Sequence, residues 1–226
     1  NTVQALLARY YLLDERYSDA INAANAVDLS VTSTYTYDDV STNPIAFVSI
    51  LTNNVYQPID LTLGLPTDLQ PDAADQRLAF YFQDLNPAMN DYRAAAFFDD
   101  NKDGIPIYLP GEMLLIKAEA YARQNQLSDA IGALDEVLTK QAGDDAFGIG
   151  AGLPAYSGPE TQADVLAAIY ANRCMEMMMS GLRLGDSKRF NRAGPNDADA
   201  ERNRNWYPYP FSERDNNPNT PDDPEI

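Results

Sequence analysis

Histidine is absent from the 226-residue chain. With it go Ser-His-Asp and Cys-His nucleophile systems and the usual zinc sites, all of which need an imidazole. Carboxylates are left as the main catalytic option. Cysteine occurs once, as Cys174, so no disulfide forms within the chain. That leaves the redox compartment undecided. Cys174 sits in the apolar stretch "NRCMEMMMSGL", where a free thiol reads as an inert core residue. The methionine run there reads as gap-filling core rather than a binding surface. No run of about 18 apolar residues exists that would span a bilayer. The opening "NTVQALLARYYLL" lacks the basic, apolar and small-residue regions of a signal peptide, as a mature, trimmed or truncated chain would.

Positive charge is scarce too: 16 basic residues face 34 acidic ones, a net charge of −18. Such a surface repels phosphate backbones, so nucleic acid is not an expected partner. Anionic membrane surfaces are disfavoured for the same reason. Neutral ligands and cations remain open. What is present is a 45% hydrophobic content, enough for a core.

The tetrad "SDAI" occurs at Ser18–Ile21 and again at Ser128–Ile131. Extended outward, "LLARYYLLDERYSDAINAANAV" aligns with "IKAEAYARQNQLSDAIGALDEV". Ala8, Tyr11 and Ala20 then match Ala118, Tyr121 and Ala130. Small-x2-aromatic-x8-Ala is the spacing of a tetratricopeptide-like hairpin. Two helices approach closely where small side chains face each other, and the tyrosine fills the groove beside them. "DER" and "RQNQ" are the polar breaks, and Ser18 and Ser128 are expected to cap each second helix. Two such units are too few for an independent solenoid, so they must pack on other material.

The expected fold is mainly α, with tetratricopeptide-like helical hairpins and long irregular loops, in one domain over 1–226. It divides into a hairpin (1–26), a ligand-loop region (27–110), a helical block (111–191) and an extended C-terminal strap (192–226). Residues 27–110 are rich in Thr, Ser, Asn, Tyr and Pro, with only short β-like runs, and long irregular stretches are often functional. A third long helix is expected over 160–191, with Val165, Leu166, Ile169 and Tyr170 on its apolar stripe. The glycine-rich "KQAGDDAFGIGAG" has no following Gly-Lys-Ser/Thr and no preceding strand, so it is not a phosphate cradle.

Sugar recognition needs flat apolar faces beside planar amides. Asn53, Asn54, Tyr56 and Gln57 in "TNNVYQPID" supply both, and Tyr35 and Tyr37 add further rings. These six are the candidate ligand-binding residues; Tyr56 would stack on the sugar ring. Trp206, Tyr207 and Tyr209 in "NWYPYPF" are expected to pack instead. "DDNKDG" has the form that opens a calcium loop, through Asp99, Asn101 and Asp103, but Pro110 stands where the closing acid belongs. A structural calcium ion is the only cofactor it raises, and a tight turn explains the same residues. No catalytic residue is assigned. A carboxylate-based glycoside hydrolase needs a placed acid pair, and no local motif marks one.

"RCMEMMMSGLRLGDSKRF" resembles the R-x-x-E-L-x-x-E-G-x-R-x-x-D-L-K-R signature of the SusD/RagB family. Arg173, Glu176, Gly181, Arg183, Asp186, Lys188 and Arg189 match; Ser180 and Ser187 depart from it. "DAADQRL" is similar to the family's D-x-R-L segment through Asp75, Arg77 and Leu78. "IPIYLPGEMLLIKAEAYAR" is similar to its central helix through Pro106, Glu112, Leu115, Ala118, Glu119 and Ala120, with Leu109 in place of an arginine. "YPYPFSERDNNPN" resembles the closing segment through Pro208, Pro210, Glu213, Asn217 and Pro218. The resemblance covers the C-terminal portion of a typical member, without its N-terminal helical region and lipidated cysteine.

It implies a non-catalytic protein on the outer face of the outer membrane of Bacteroidota, held by a lipid anchor outside this chain. Its partners would be an oligosaccharide or polysaccharide and a SusC-like TonB-dependent transporter. The alternative is a tetratricopeptide-type adaptor for a peptide or protein. The signature residues read as structural, with Arg173–Glu176 and Arg183–Asp186 expected as pairs one helical turn apart.

Overall fold

The computed structural model describes residues 1–48, 60–86, 91–94 and 96–223. Helices α1 (Thr2–Leu13) and α2 (Tyr17–Asn25) form the first hairpin, and α5 (Pro110–Arg123) and α6 (Leu127–Leu138) the second. Ala8, Ala20, Ala118 and Ala130 are all fully buried, as close helix contact requires. Tyr11 and Tyr121 pack partly buried beside them.

The repeat extends to the backbone of the turns. Glu15 and Asn125 both adopt φ 58°, the left-handed conformation that ends the first helix. Arg16 then donates its N–H to the Tyr11 carbonyl, and Gln126 to that of Tyr121, at 2.9 Å each. The serines do not cap. Arg16 and Gln126 occupy the N-cap positions, and neither makes a side-chain cap bond. Since the left-handed residue reverses the chain within the turn, each second helix starts before its serine. Ser18 Oγ instead donates to Gln124 of the other hairpin at 3.3 Å.

Helix α5 is the centre. It packs against α1, α2, α6 and α7 (Gln162–Glu176), and most of its length is buried. Pro110 at its first turn lacks the amide that would go unbonded there. Thr161 caps α7 by accepting from the Asp164 amide. The long third helix expected over 160–191 is broken. After α7 the chain turns through Met179 (φ 64°) and Gly181 (φ 79°) before α8 (Arg183–Arg189).

Residues 27–110 carry short elements. β1 (Thr34–Tyr35) pairs antiparallel with β4 (Ile105–Pro106), so Tyr35 faces Ile105. β2 (Phe82–Asn86) pairs antiparallel with β3 (Asp91–Ala94). Buried Asn43 caps the short α3 (Pro44–Ala46), accepting from the amides of Ile45 and Ala46 at 2.9 and 3.0 Å. α4 (Arg77–Tyr81) leads directly into β2. The C-terminal segment is mostly irregular, with α9 at Phe211–Asn216.

Candidate functional site

Two carboxylates, Glu112 and Glu119, are fully buried on α5. A buried carboxylate persists only with cationic partners. Arg9 grips Glu112 with a two-pronged contact of 2.6 and 2.8 Å. Glu119 is held by Arg123 at 2.8 Å and by Arg189 at 2.8 and 2.9 Å. Arg189 also bonds Asp186 at 2.8 Å, and Arg173 forks onto Asp186 at 2.8 and 3.0 Å. Burial alone would raise the Glu119 and Asp186 carboxyls, yet the surrounding arginines outweigh it and hold both below their usual values.

This cluster joins three guanidinium groups, of Arg123, Arg173 and Arg189, to two carboxylates. Arg173 is 3% exposed and its Nη1 has no hydrogen-bond partner.

A second buried cluster centres on Glu176 at the end of α7. Arg77 forks onto Asp75 at 2.9 and 2.7 Å, reaches Glu176 at 3.1 Å and donates to the side-chain Oδ1 of Asn172 at 2.8 Å. Lys140 bridges Glu176 at 2.6 Å and Asp145 at 2.7 Å. The remaining Asp145 oxygen accepts from the amides of Phe147 and Ile149. Tyr81 donates to the Glu176 carbonyl at 2.8 Å. Here every carboxylate oxygen is partnered. The helical pairs expected within "RCME" and "RLGD" therefore do not form. Arg173 reaches forward to Asp186, and Glu176 reaches across to Arg77 and Lys140. Buried side chains choose partners by tertiary proximity, which a surface spacing rule does not describe.

The break between α7 and α8 opens a cavity of about 460 Å³. Leu63, Phe82, Met177 and Met178 give it an apolar wall, and Arg173 and Arg183 are its cationic groups. Met177 is buried, but Met178 and Met179 are half-exposed and line this cavity, so the methionine run is only partly core. Cys174 also lines it at 7% exposure, and burial, against the opposing charge of Arg183, pushes its thiol up to about 11. Little thiolate exists at neutral pH, as an inert thiol requires. On the far side of Arg183 lies a groove lined by Arg202, Arg204 and Tyr207.

The aromatic residues of the C-terminal segment do not pack. Trp206 is 58% exposed, Tyr207 63% and Phe211 72%. Lys188 Nζ stands 3.1 Å from the centroid of the Trp206 ring. The prolines that flank Tyr207 and Tyr209 keep this stretch extended and out of the helical layer. Of the sequence candidates, Asn53, Asn54, Tyr56 and Gln57 lie outside the described residues. Tyr35 is exposed, and Tyr37 is half-buried on the same strand-to-loop segment. Asp99, Asn101 and Asp103 form a turn in which Asp103 Oδ2 accepts from the amides of Asp99 and Asp100 at 2.7 and 2.8 Å. The Asp99 amide first, with that of Asp100, outweighs the raising effect of burial and holds the Asp103 carboxyl below the usual value.

The sequence model of the SusD family matches residues 98–224. Among solved structures, the chain is similar to a SusD-like carbohydrate binding protein from Bacteroides vulgatus, at 20% identity and a TM-score of 0.62. That match covers 84% of this chain and 44% of the other. A SusD superfamily protein from the same organism matches at 18% identity and a TM-score of 0.50, over 84% of this chain and 51% of that one. The chain thus spans about half the length of these structures, which share its mainly helical fold. No curated protein matches it.

Proposed function

Because this chain belongs to the SusD family, we propose that it captures a glycan at the cell surface, without cutting it, for delivery to a TonB-dependent outer-membrane transporter. In this reading the protein is held on the outer membrane by a lipid. The observation that carries the reading is the exposed run of Trp206, Tyr207 and Phe211. Large aromatic faces left in solvent are the surfaces on which sugar C–H faces stack. A peptide adaptor would use a concave helical groove, whereas these rings lie outside both hairpins.

Trp206 is the only tryptophan, so its fluorescence reports on this surface alone. A bound oligosaccharide is expected to change that emission saturably. Trp206→Ala should then weaken the same glycan about tenfold, about 1.4 kcal/mol of ring stacking. Unchanged affinity in the variant would remove Trp206 from the binding surface.

A further inference from the structure

The net charge of −18 argues against anionic ligands for the chain as a whole. One stretch reverses that sign. Residues 173–204 carry seven basic groups, Arg173, Arg183, Lys188, Arg189, Arg192, Arg202 and Arg204, against five acidic ones. The fold sets Arg173 and Arg183 on the cavity, and Arg183 again, with Arg202 and Arg204, on a neighbouring groove whose one acid, Glu201, is paired with Arg192.

Their partners inside the protein fall short. The Glu119–Asp186 cluster holds one more guanidinium than carboxylate. The surplus falls to Arg173, a lining residue of the cavity that is itself buried with Nη1 unpartnered. A buried guanidinium N–H without an acceptor is unfavourable, and an incoming oxygen anion would remove that penalty. Arg183, half-buried, forms no ion pair among the described residues; its guanidinium lies 6.0 Å from the centroid of the Tyr170 ring.

Two carboxylates also border the cavity. Asp186 is already bound by Arg173 and Arg189. Asp60 stands exposed at the rim, its Oδ1 taken by the amide and hydroxyl of Thr62. Neither neutralises Arg183. Apart from Thr62 the remaining side chains of the wall are apolar or sulfur-bearing, and the volume of about 460 Å³ lies within the ordinary range for small-ligand sites.

We propose that the cavity beside Arg173 and Arg183, with its outer groove, binds the carboxylate of an acidic sugar, so that the captured glycan contains uronic acid. This rests on the glycan-capture reading and names its substrate class. The carboxylate takes Arg183 and, at the cavity wall, Arg173. The C–H face of the ring lies on Leu63, Phe82 and Met178. Further uronates along the chain meet Arg202 and Arg204, with Tyr207 beside them.

The test is calorimetric titration of the 226-residue chain with oligomers of polygalacturonate and alginate. Neutral dextran oligosaccharides and dextran sulfate serve as comparisons. At least one uronate series is expected to bind, and to bind less well as salt rises. Arg183→Gln, whose side chain holds no structural pair, should weaken it about tenfold or more, the loss of one charge-assisted bond. Arg183→Lys should restore part of the affinity. Arg173→Gln should do the same where it folds, and Arg183→Gln carries the test where it does not. Binding of neutral glycans alone would overturn the acidic-sugar assignment and leave glycan capture standing. Binding of no glycan would overturn both. Equal binding of dextran sulfate, insensitive to Arg183→Gln, would reduce the site to general charge attraction and overturn it.

Discussion

Arg77→Ala is expected to destabilise the chain by about 3–5 kcal/mol, because it removes the one guanidinium that serves three acceptors in a buried cluster. Arg77 is 1% exposed and ties Asp75, Asn172 and Glu176 together. Its loss leaves Asp75 buried with a charge and no cation. Lys140 still holds Glu176, but through the other oxygen. Asp75 precedes α4, whereas Asn172 and Glu176 lie on α7. The arginine is thus a clasp between segments about a hundred positions apart. In a chain of this size the melting temperature should fall by roughly 10 °C or more. Arg77→Lys keeps the charge but cannot fork onto all three acceptors, so it should recover only part of the loss. Thermal melts followed by circular dichroism decide the matter. A shift of less than about 1 kcal/mol for Arg77→Ala would mean that the buried cluster does not form as described.

Gly111→Ala should also destabilise, although helix propensity alone predicts the opposite. Gly111 lies in the first turn of α5, where alanine is favoured by about 1 kcal/mol. A Cβ there would come within 1.8 Å of Glu176 Oε1 and 2.4 Å of its carboxyl carbon. An ordinary side chain would swing away. This one is pinned by Lys140 on one oxygen and Arg77 on the other. To make room, the cluster must break or α5 must shift, so a net loss of about 2–4 kcal/mol is expected. The double variant Gly111→Ala with Glu176→Ala should lose less than the sum of the two single changes, since the clash vanishes with the carboxylate. A Gly111→Ala protein at least as stable as the parent would show that Glu176 is not held against α5.

The hairpins were legible in the sequence because their cause is local. Small residues at fixed spacing and a polar break dictate two helices in contact, and the matching turns at Glu15 and Asn125 follow from the same pattern. What failed depended on partners remote in sequence. The serines of "SDAI" look like caps until the left-handed residue before them starts each helix earlier. Arg173 and Glu176 look like a surface pair until both prove buried and bonded elsewhere. A warning was present: Glu112 and Glu119 stand among Met, Leu, Ile and Ala, where a carboxylate requires a buried cation. It did not say which cation. Periodicity also ran through Met179 and Gly181, because the apolar stripe continues while the backbone turns.

The candidate site was legible in kind rather than in place. Tyrosines beside amides drew attention to residues 27–110, yet the run of exposed rings at Trp206, Tyr207 and Phe211 lies in the segment expected to pack. The run of basic residues over 173–204 was readable by counting, but the net charge of −18 concealed it. Only the break between α7 and α8 places Arg173 and Arg183 around a single cavity.

The most direct measurement is affinity electrophoresis of the protein through gels containing neutral and acidic polysaccharides, with reducing ends assayed from the same incubations. Capture without catalysis predicts retardation in at least one gel and no new reducing ends in any. Cleavage products, or free migration through every polysaccharide, would contradict it.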